Sequence, residues 1–143
     1  MNDRDAGGRR RAVVFFYGLF MDPDLLRARG LVPRDVELAA VPGFALRIGQ
    51  RATLVPHPSG RAHGVIMTLT LAELARLYAE PSVSAYQPQA VLAHLRGGEV
   101  VAALCYTLPE APELGQRNPE YVESLRAVGH KVGLPADYLR SLD

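Results

Sequence analysis

The spacing of apolar residues changes its period several times along the chain, and each change predicts an element. Residues 12–17 (AVVFFY) are apolar at every position, which predicts a strand buried on both faces. The run stops at Tyr17-Gly18. After Leu19, Phe20 and Met21 comes Asp22-Pro23, a good N-cap followed by a proline whose missing N–H costs nothing at the first helical position. The helix opened there covers DLLRARG and ends at Gly30, a suitable C-cap residue. From residue 36 to 69 the pattern becomes strand-like: VELAAV, FALRI, RATLV and HGVIMTL, separated by Pro42-Gly43, Gly49-Gln50 and PHPSGR. Thr70 then caps a second helix with Leu71, Leu74, Ala75 and Leu77-Tyr78 on its apolar side, and Pro81 ends it. Residues 89–108 predict a hairpin, QAVLAHL and EVVAALCYTL around Arg96-Gly97-Gly98. The end is helical: NPEYVESLRAVGHKVG, with Asn118 as cap, Pro119 first and Glu120 adding negative charge to the first turn, then LPADYLRSLD.

Many short strands with few helices argue against a doubly wound parallel sheet. They predict an α+β domain whose strands curl into a small barrel or strongly bent sheet, with helices outside. No repeat, low-complexity block or linker divides the chain, so residues 12–143 read as a single domain long enough to bury a core. Residues 1–11 (MNDRDAGGRRR) read as a flexible tail, with Arg9, Arg10 and Arg11 solvated rather than bound to an anionic partner. That segment has no apolar stretch ahead of a cleavage site, unlike a secretory signal. No apolar run approaches the ~20 residues a membrane helix needs. A cytoplasmic protein with no membrane partner is therefore expected.

Charge and rare residues narrow the chemistry. With 16 basic against 15 acidic residues the net charge is +1, which argues against nucleic acid as a partner, since phosphate binding calls for a basic excess. A lone cysteine, Cys105, forms no intrachain disulfide; in the apolar run VVAALCYTL it reads as a buried structural thiol rather than a nucleophile. The four histidines are scattered without HxH or HExxH spacing, so neither a metal site nor a cofactor is expected.

Two features carry candidate chemistry. In Tyr17-Gly18-Leu19-Phe20-Met21, Gly18 permits close approach to the backbone, and a turn leading to a helix start leaves N–H groups that favour a carboxylate or phosphate. The same corner also serves as plain packing. Glu80 sits at the broken end of a helix, where a carboxylate opposes the helix dipole. Turned into a pocket, its pKa would rise toward the range in which a carboxyl group both takes and gives a proton; turned outward, it is an ordinary loop glutamate.

Three blocks taken together decide how these features are read. FFYGLFM resembles the N-terminal signature of the γ-glutamylcyclotransferase superfamily, an apolar strand ending in Tyr-Gly-Ser/Thr and then Leu or Met. GVIMTLTLAELARLYAEPSVSAY resembles its later block, a strand leading into a helix, then an acidic residue and a tyrosine. NPEYVESLRAVGHKVGLPADYLRSL is similar to its ending. The resemblance covers residues 12–142 and implies a small mixed β-barrel flanked by α-helices. It also implies an activity: cleavage of γ-glutamyl compounds by cyclisation to 5-oxoproline, without a cofactor. The substrate's own α-amine is then the nucleophile, and intramolecular attack spares up to ~7–11 kcal/mol of entropic cost.

Carried over by position, the resemblance makes Glu80 the catalytic acid/base. It makes Tyr17, Gly18, Leu19, Phe20 and Met21 the loop that holds the γ-glutamyl end, and Tyr86 the tyrosine whose hydroxyl holds substrate. Tyr17 and Tyr86 also fit as core aromatics with a wet hydroxyl. Arg51, before ATLVP, reads as a strand-edge residue, with a cation for a substrate carboxylate as the alternative. The chain departs from the family pattern at the site itself. Leu19 replaces the Ser or Thr, Leu77-Tyr78 replaces a Leu-Asp set one residue further from the glutamate, and Pro81 replaces a glycine. A helix end one residue shorter rotates the segment after it by ~100°. The expected function is a cyclotransferase acting on a small γ-glutamyl amide or amine; the alternative is a non-catalytic module on the same fold that binds a small carboxylate.

Overall fold

A computed structural model describes residues 9–142. Five strands close into a barrel: β1 (Arg11–Phe16), β2 (Arg34–Ile48), β3 (Ala52–Thr70), β4 (Gln87–Leu95) and β5 (Val100–Thr107), in the order β1-β3-β2-β4-β5 and back to β1. All pairings are antiparallel except the one that closes the ring, where β1 and β5 run parallel through Val14 and Leu104. Among the described residues four α-helices pack outside: α1 (Pro23–Ala28), α2 (Leu71–Leu77), α3 (Pro119–Val132) and α4 (Ala136–Ser141). The small mixed barrel with flanking helices expected from the sequence is the fold observed. Arg11 already belongs to β1, and the Arg10 carbonyl accepts the N–H of Leu71. The rest of the expected tail, residues 1–8, lies outside the described residues. No helix among the described residues is long and apolar enough to cross a membrane.

The all-apolar β1 follows from having two buried faces. Phe15 and Tyr17 join Val41, Leu54, Ile66, Val91 and Cys105 inside the barrel, while Val14 and Phe16 pack outward with Leu26, Leu74, Leu125 and Leu139 under the helices. Cys105 is fully buried among these side chains, and burial pushes its thiol up to about 12, as suits a structural role.

The four short strands expected between residues 36 and 69 are two long bent ones. Pro42-Gly43 does not end β2: the register passes from Pro42 opposite Arg61 to Phe44 opposite Pro56, so Gly43, at φ 86°, faces the unpaired residues 57–60 of β3. PHPSGR likewise stays within β3. A proline that lacks a donor and a glycine in the left-handed region bend a hairpin here, where the same residues elsewhere would end a strand.

Helix α2 is anchored at its start. The Thr70 hydroxyl accepts the Glu73 N–H at 3.1 Å, and the Glu73 carboxylate accepts the N–H groups of Thr70 at 2.8 Å and Val32 at 2.6 Å. Partial burial pushes the Glu73 carboxyl up, but these N–H groups outweigh it and hold the pKa below its ordinary 4.5. A folded-state pKa below the unfolded one stabilises the fold in full above the unfolded value and ceases to do so as pH falls through the folded one. Glu73→Ala is therefore expected to destabilise the protein by about 1–2 kcal/mol at neutral pH. In urea melts the gap to wild type should narrow as the solution is acidified below the carboxylate range.

Candidate functional site

Where β1 ends, the chain turns out of the barrel. Gly18 precedes a single 3-10 turn, Leu19–Met21, closed by Met21 N–H to the Gly18 carbonyl at 3.0 Å. Asp22, whose carboxylate accepts the Asp24 N–H, then starts α1. The first N–H groups of such a turn have no acceptor within it. Gly18 has ordinary extended backbone angles (φ −114°, ψ −152°), so what it supplies is space: a Cβ there would lie 2.8 Å from the Tyr121 hydroxyl oxygen. Tyr121 is brought in by the start of α3. Asn118 accepts its N–H at 3.2 Å and donates from its side-chain amide to the Gly49 carbonyl at 3.1 Å, tying this helix to the β2–β3 turn.

These elements surround a cavity of about 380 Å³. Tyr17, Gly18, Leu19 and Phe20 line it from the corner, Tyr78, Ser82, Val83 and Tyr86 from the segment after α2, and Tyr106 and Tyr121 from β5 and α3. Gln50 and Arg51 come from the β2–β3 turn, Leu25 and Arg29 from α1 and its end. No carboxylate or histidine occurs among the described residues of this lining.

The aromatic wall is continuous. Tyr78 stacks on Tyr106 at 3.9 Å, Phe20 meets Tyr78 edge-on at 6.0 Å, and Phe16 meets Phe20 edge-on at 6.1 Å. The Tyr17 hydroxyl donates to the Tyr106 carbonyl at 2.7 Å and that of Tyr86 to the Ala52 carbonyl at 2.5 Å. Burial raises the pKa of all five tyrosines of the lining, so at neutral pH they are neutral phenols.

Residues 14–124 match the family described as gamma-glutamyl cyclotransferase, AIG2-like. The chain belongs to that family. Solved structures share its fold: a gamma-glutamyl cyclotransferase at TM-score 0.77 and 18% identity, over 94% of this chain and 89% of its own; an uncharacterized human protein at 0.76 and 19%, over 94% and 89%; and a mouse AIG2-like protein at 0.55 and 18%, over 79% and 83%. No curated protein sequence matches the chain.

With the gamma-glutamyl cyclotransferase fold in place, the residues singled out from the sequence separate. Tyr17, Gly18, Leu19, Phe20 and Tyr86 meet around the cavity. Met21 does not reach it: its side chain is fully buried beneath the helices. Glu80 is not among the lining residues either. It lies in the turns after α2, its carbonyl accepting the Val83 N–H at 3.0 Å. Its carboxylate, 44% exposed, accepts a hydrogen bond from Arg29 Nη1, and it is Arg29 that lines the cavity. Tyr86 puts its ring into the lining and spends its hydroxyl proton on Ala52, which leaves the oxygen able to accept.

Arg51 lies on the cavity, in the position that its alternative reading required. Arg29, Tyr106 and Tyr121 were not legible as site residues. They come from three separate elements and carry no local motif, so their convergence depends on barrel closure. Tyr78 was visible only as a departure from the family's Leu-Asp; in the fold it forms part of the aromatic wall.

The Gly18–Tyr121 approach yields a direct test. Gly18→Ala is expected to cost about 1 kcal/mol in urea denaturation, by pressing a methyl group against the phenol oxygen. Tyr121→Phe, which removes that oxygen, should recover most of the loss in the double mutant.

Proposed function

We propose that this protein is a cyclotransferase acting on a small γ-glutamyl amide or amine, releasing 5-oxoproline and the free amine. The observation that carries the reading is the juxtaposition, in a chain of this family, of the Tyr17-Gly18 corner and a cavity whose wall includes Arg29, the partner of Glu80. A γ-glutamyl group fits such a site with its apolar arm along the aromatic wall and its carboxylate at a guanidinium. In the reaction, Glu80 takes a proton from the α-ammonium. The amine nitrogen attacks the γ-carbonyl carbon to close a five-membered ring and gives up a second proton in becoming the lactam N–H; as its bond to that carbon breaks, the departing nitrogen takes up both protons and leaves as an ammonium group. One carboxylate serves both transfers. The neutral phenols of the wall other than Tyr17 and Tyr86, whose protons are already donated to backbone carbonyls, supply hydrogen bonds to the carbonyl oxygen as it gains charge.

A second reading has an observation of its own. Glu80 is held by Arg29 and is absent from the lining, which favours a module that binds a small carboxylate without turning it over.

Release of 5-oxoproline from a panel of γ-glutamyl amino acids and amines separates the two. For the enzyme, Glu80→Gln is expected to lower turnover about 10²–10⁴-fold while changing stability by no more than about 1 kcal/mol, the range for an exposed ion pair. Equal turnover in the folded variant would remove Glu80 from the chemistry. Saturable binding with no release by the wild type would establish the binding module.

A further inference from the structure

Arg29 is held more closely than an exposed arginine usually is. It closes the C-terminal end of α1, its N–H donating to the Leu26 carbonyl at 3.0 Å. Its guanidinium carbon sits 5.3 Å from the centre of the Phe20 ring, and its Nη1 donates to Glu80. We propose that Arg29 is the receptor for the ligand's carboxylate, and that in the free protein Glu80 occupies it as an internal stand-in. Binding then exchanges one carboxylate for another on the same guanidinium and releases Glu80 toward the ligand.

Four observations support the exchange. The cavity wall is otherwise apolar, phenolic or uncharged, and among the described residues its cations are Arg29 and Arg51. Beside the backbone N–H groups of the corner, these two are the charges that can compensate an anion entering there. Of the two, Arg29 already accommodates a carboxylate, so the geometry for receiving one is built, with the Phe20 face limiting where the planar group can turn. Glu80 engages Nη1 through one of its oxygens, and the remaining guanidinium donors stay compatible with a two-point contact to a ligand. The displaced pair is partly solvated, at 35% and 44% exposure, so breaking it costs little and the internal competitor is weak.

The inference rests on the proposed reading only in that the cavity takes a small carboxylate; turnover is not required. Titration calorimetry on the full chain with 5-oxoproline, and with its uncharged carboxamide, tests it independently of catalysis. Wild type is expected to prefer the carboxylate. Glu80→Gln should bind 5-oxoproline about two- to fivefold more tightly, because the competitor is gone, and bind the carboxamide unchanged. Arg29→Gln should lose the preference, and Arg29→Lys, which keeps the charge without the fork, should retain part of it. The proposal is overturned if folded Arg29→Gln keeps the full preference, which would move the carboxylate to Arg51 or the backbone. It is overturned equally if Glu80→Gln weakens 5-oxoproline binding, or if 5-oxoproline binds neither wild type nor Glu80→Gln. Failure of the cyclisation reading alone would show as binding in this pattern with no turnover.

Discussion

Strand β1 has a partner on each edge and, from Val14 to Phe16, is buried on both faces, and the site depends on that constraint. One edge pairs with β3 from Arg11–Thr70 to Phe16–Val65, and the other closes the ring onto β5 at Val14 and Leu104. One face fills the barrel and the other supports the helices. Each fully buried side chain such as Phe15 or Val14 contributes about 1.5–3 kcal/mol. A strand so enclosed can leave the barrel only at its end. The exit at Tyr17-Gly18 therefore falls on the rim, where the β2–β3 turn, the segment after α2 and the start of α3 also arrive. The absence of a side chain at Gly18 lets Tyr121 close over that exit.

The cavity that results has an uneven distribution of charge. Its tyrosines are kept neutral by burial, so they donate and accept hydrogen bonds but do not titrate near neutrality. Its fixed charges are positive, and the nearby carboxylate is tied to one of them. This suits a ligand with an anionic end and an uncharged arm. Tyr78 acts in the same direction, placing a ring stacked on Tyr106 in the wall. In the segment after α2, Tyr78, Ser82 and Val83 line the cavity, and Glu80 is bonded to Arg29, which lines it too.

Much of the fold was legible because its signals are local. The unbroken apolar run of β1, Asp22-Pro23, Thr70, the Gly97-Gly98 turn and Asn118-Pro119 each mark an element by their own chemistry, and each element stands where it was expected. Pro42-Gly43 and PHPSGR misled for a related reason: residues that bend a strand and residues that end one are the same residues, and only the partner strand decides between them. At the site, the corner and Glu80 stood out through strand, turn and cap patterns together with the family blocks. Met21 was grouped with the corner by the family resemblance, but the 3-10 turn carries its side chain inward to the core. Arg29 lies 51 residues from its partner Glu80, a separation no periodicity records.

The rim of the barrel at the end of β1 is proposed to bind a small carboxylate compound. The most direct measurement is an amide NMR titration of the isotopically labelled protein with 5-oxoproline. The account predicts saturable shifts grouped at Gly18, Leu19 and Phe20, at Arg29, and at Gln50 and Arg51. Shifts confined to other parts of the barrel, or a spectrum unchanged at saturating ligand, would contradict it.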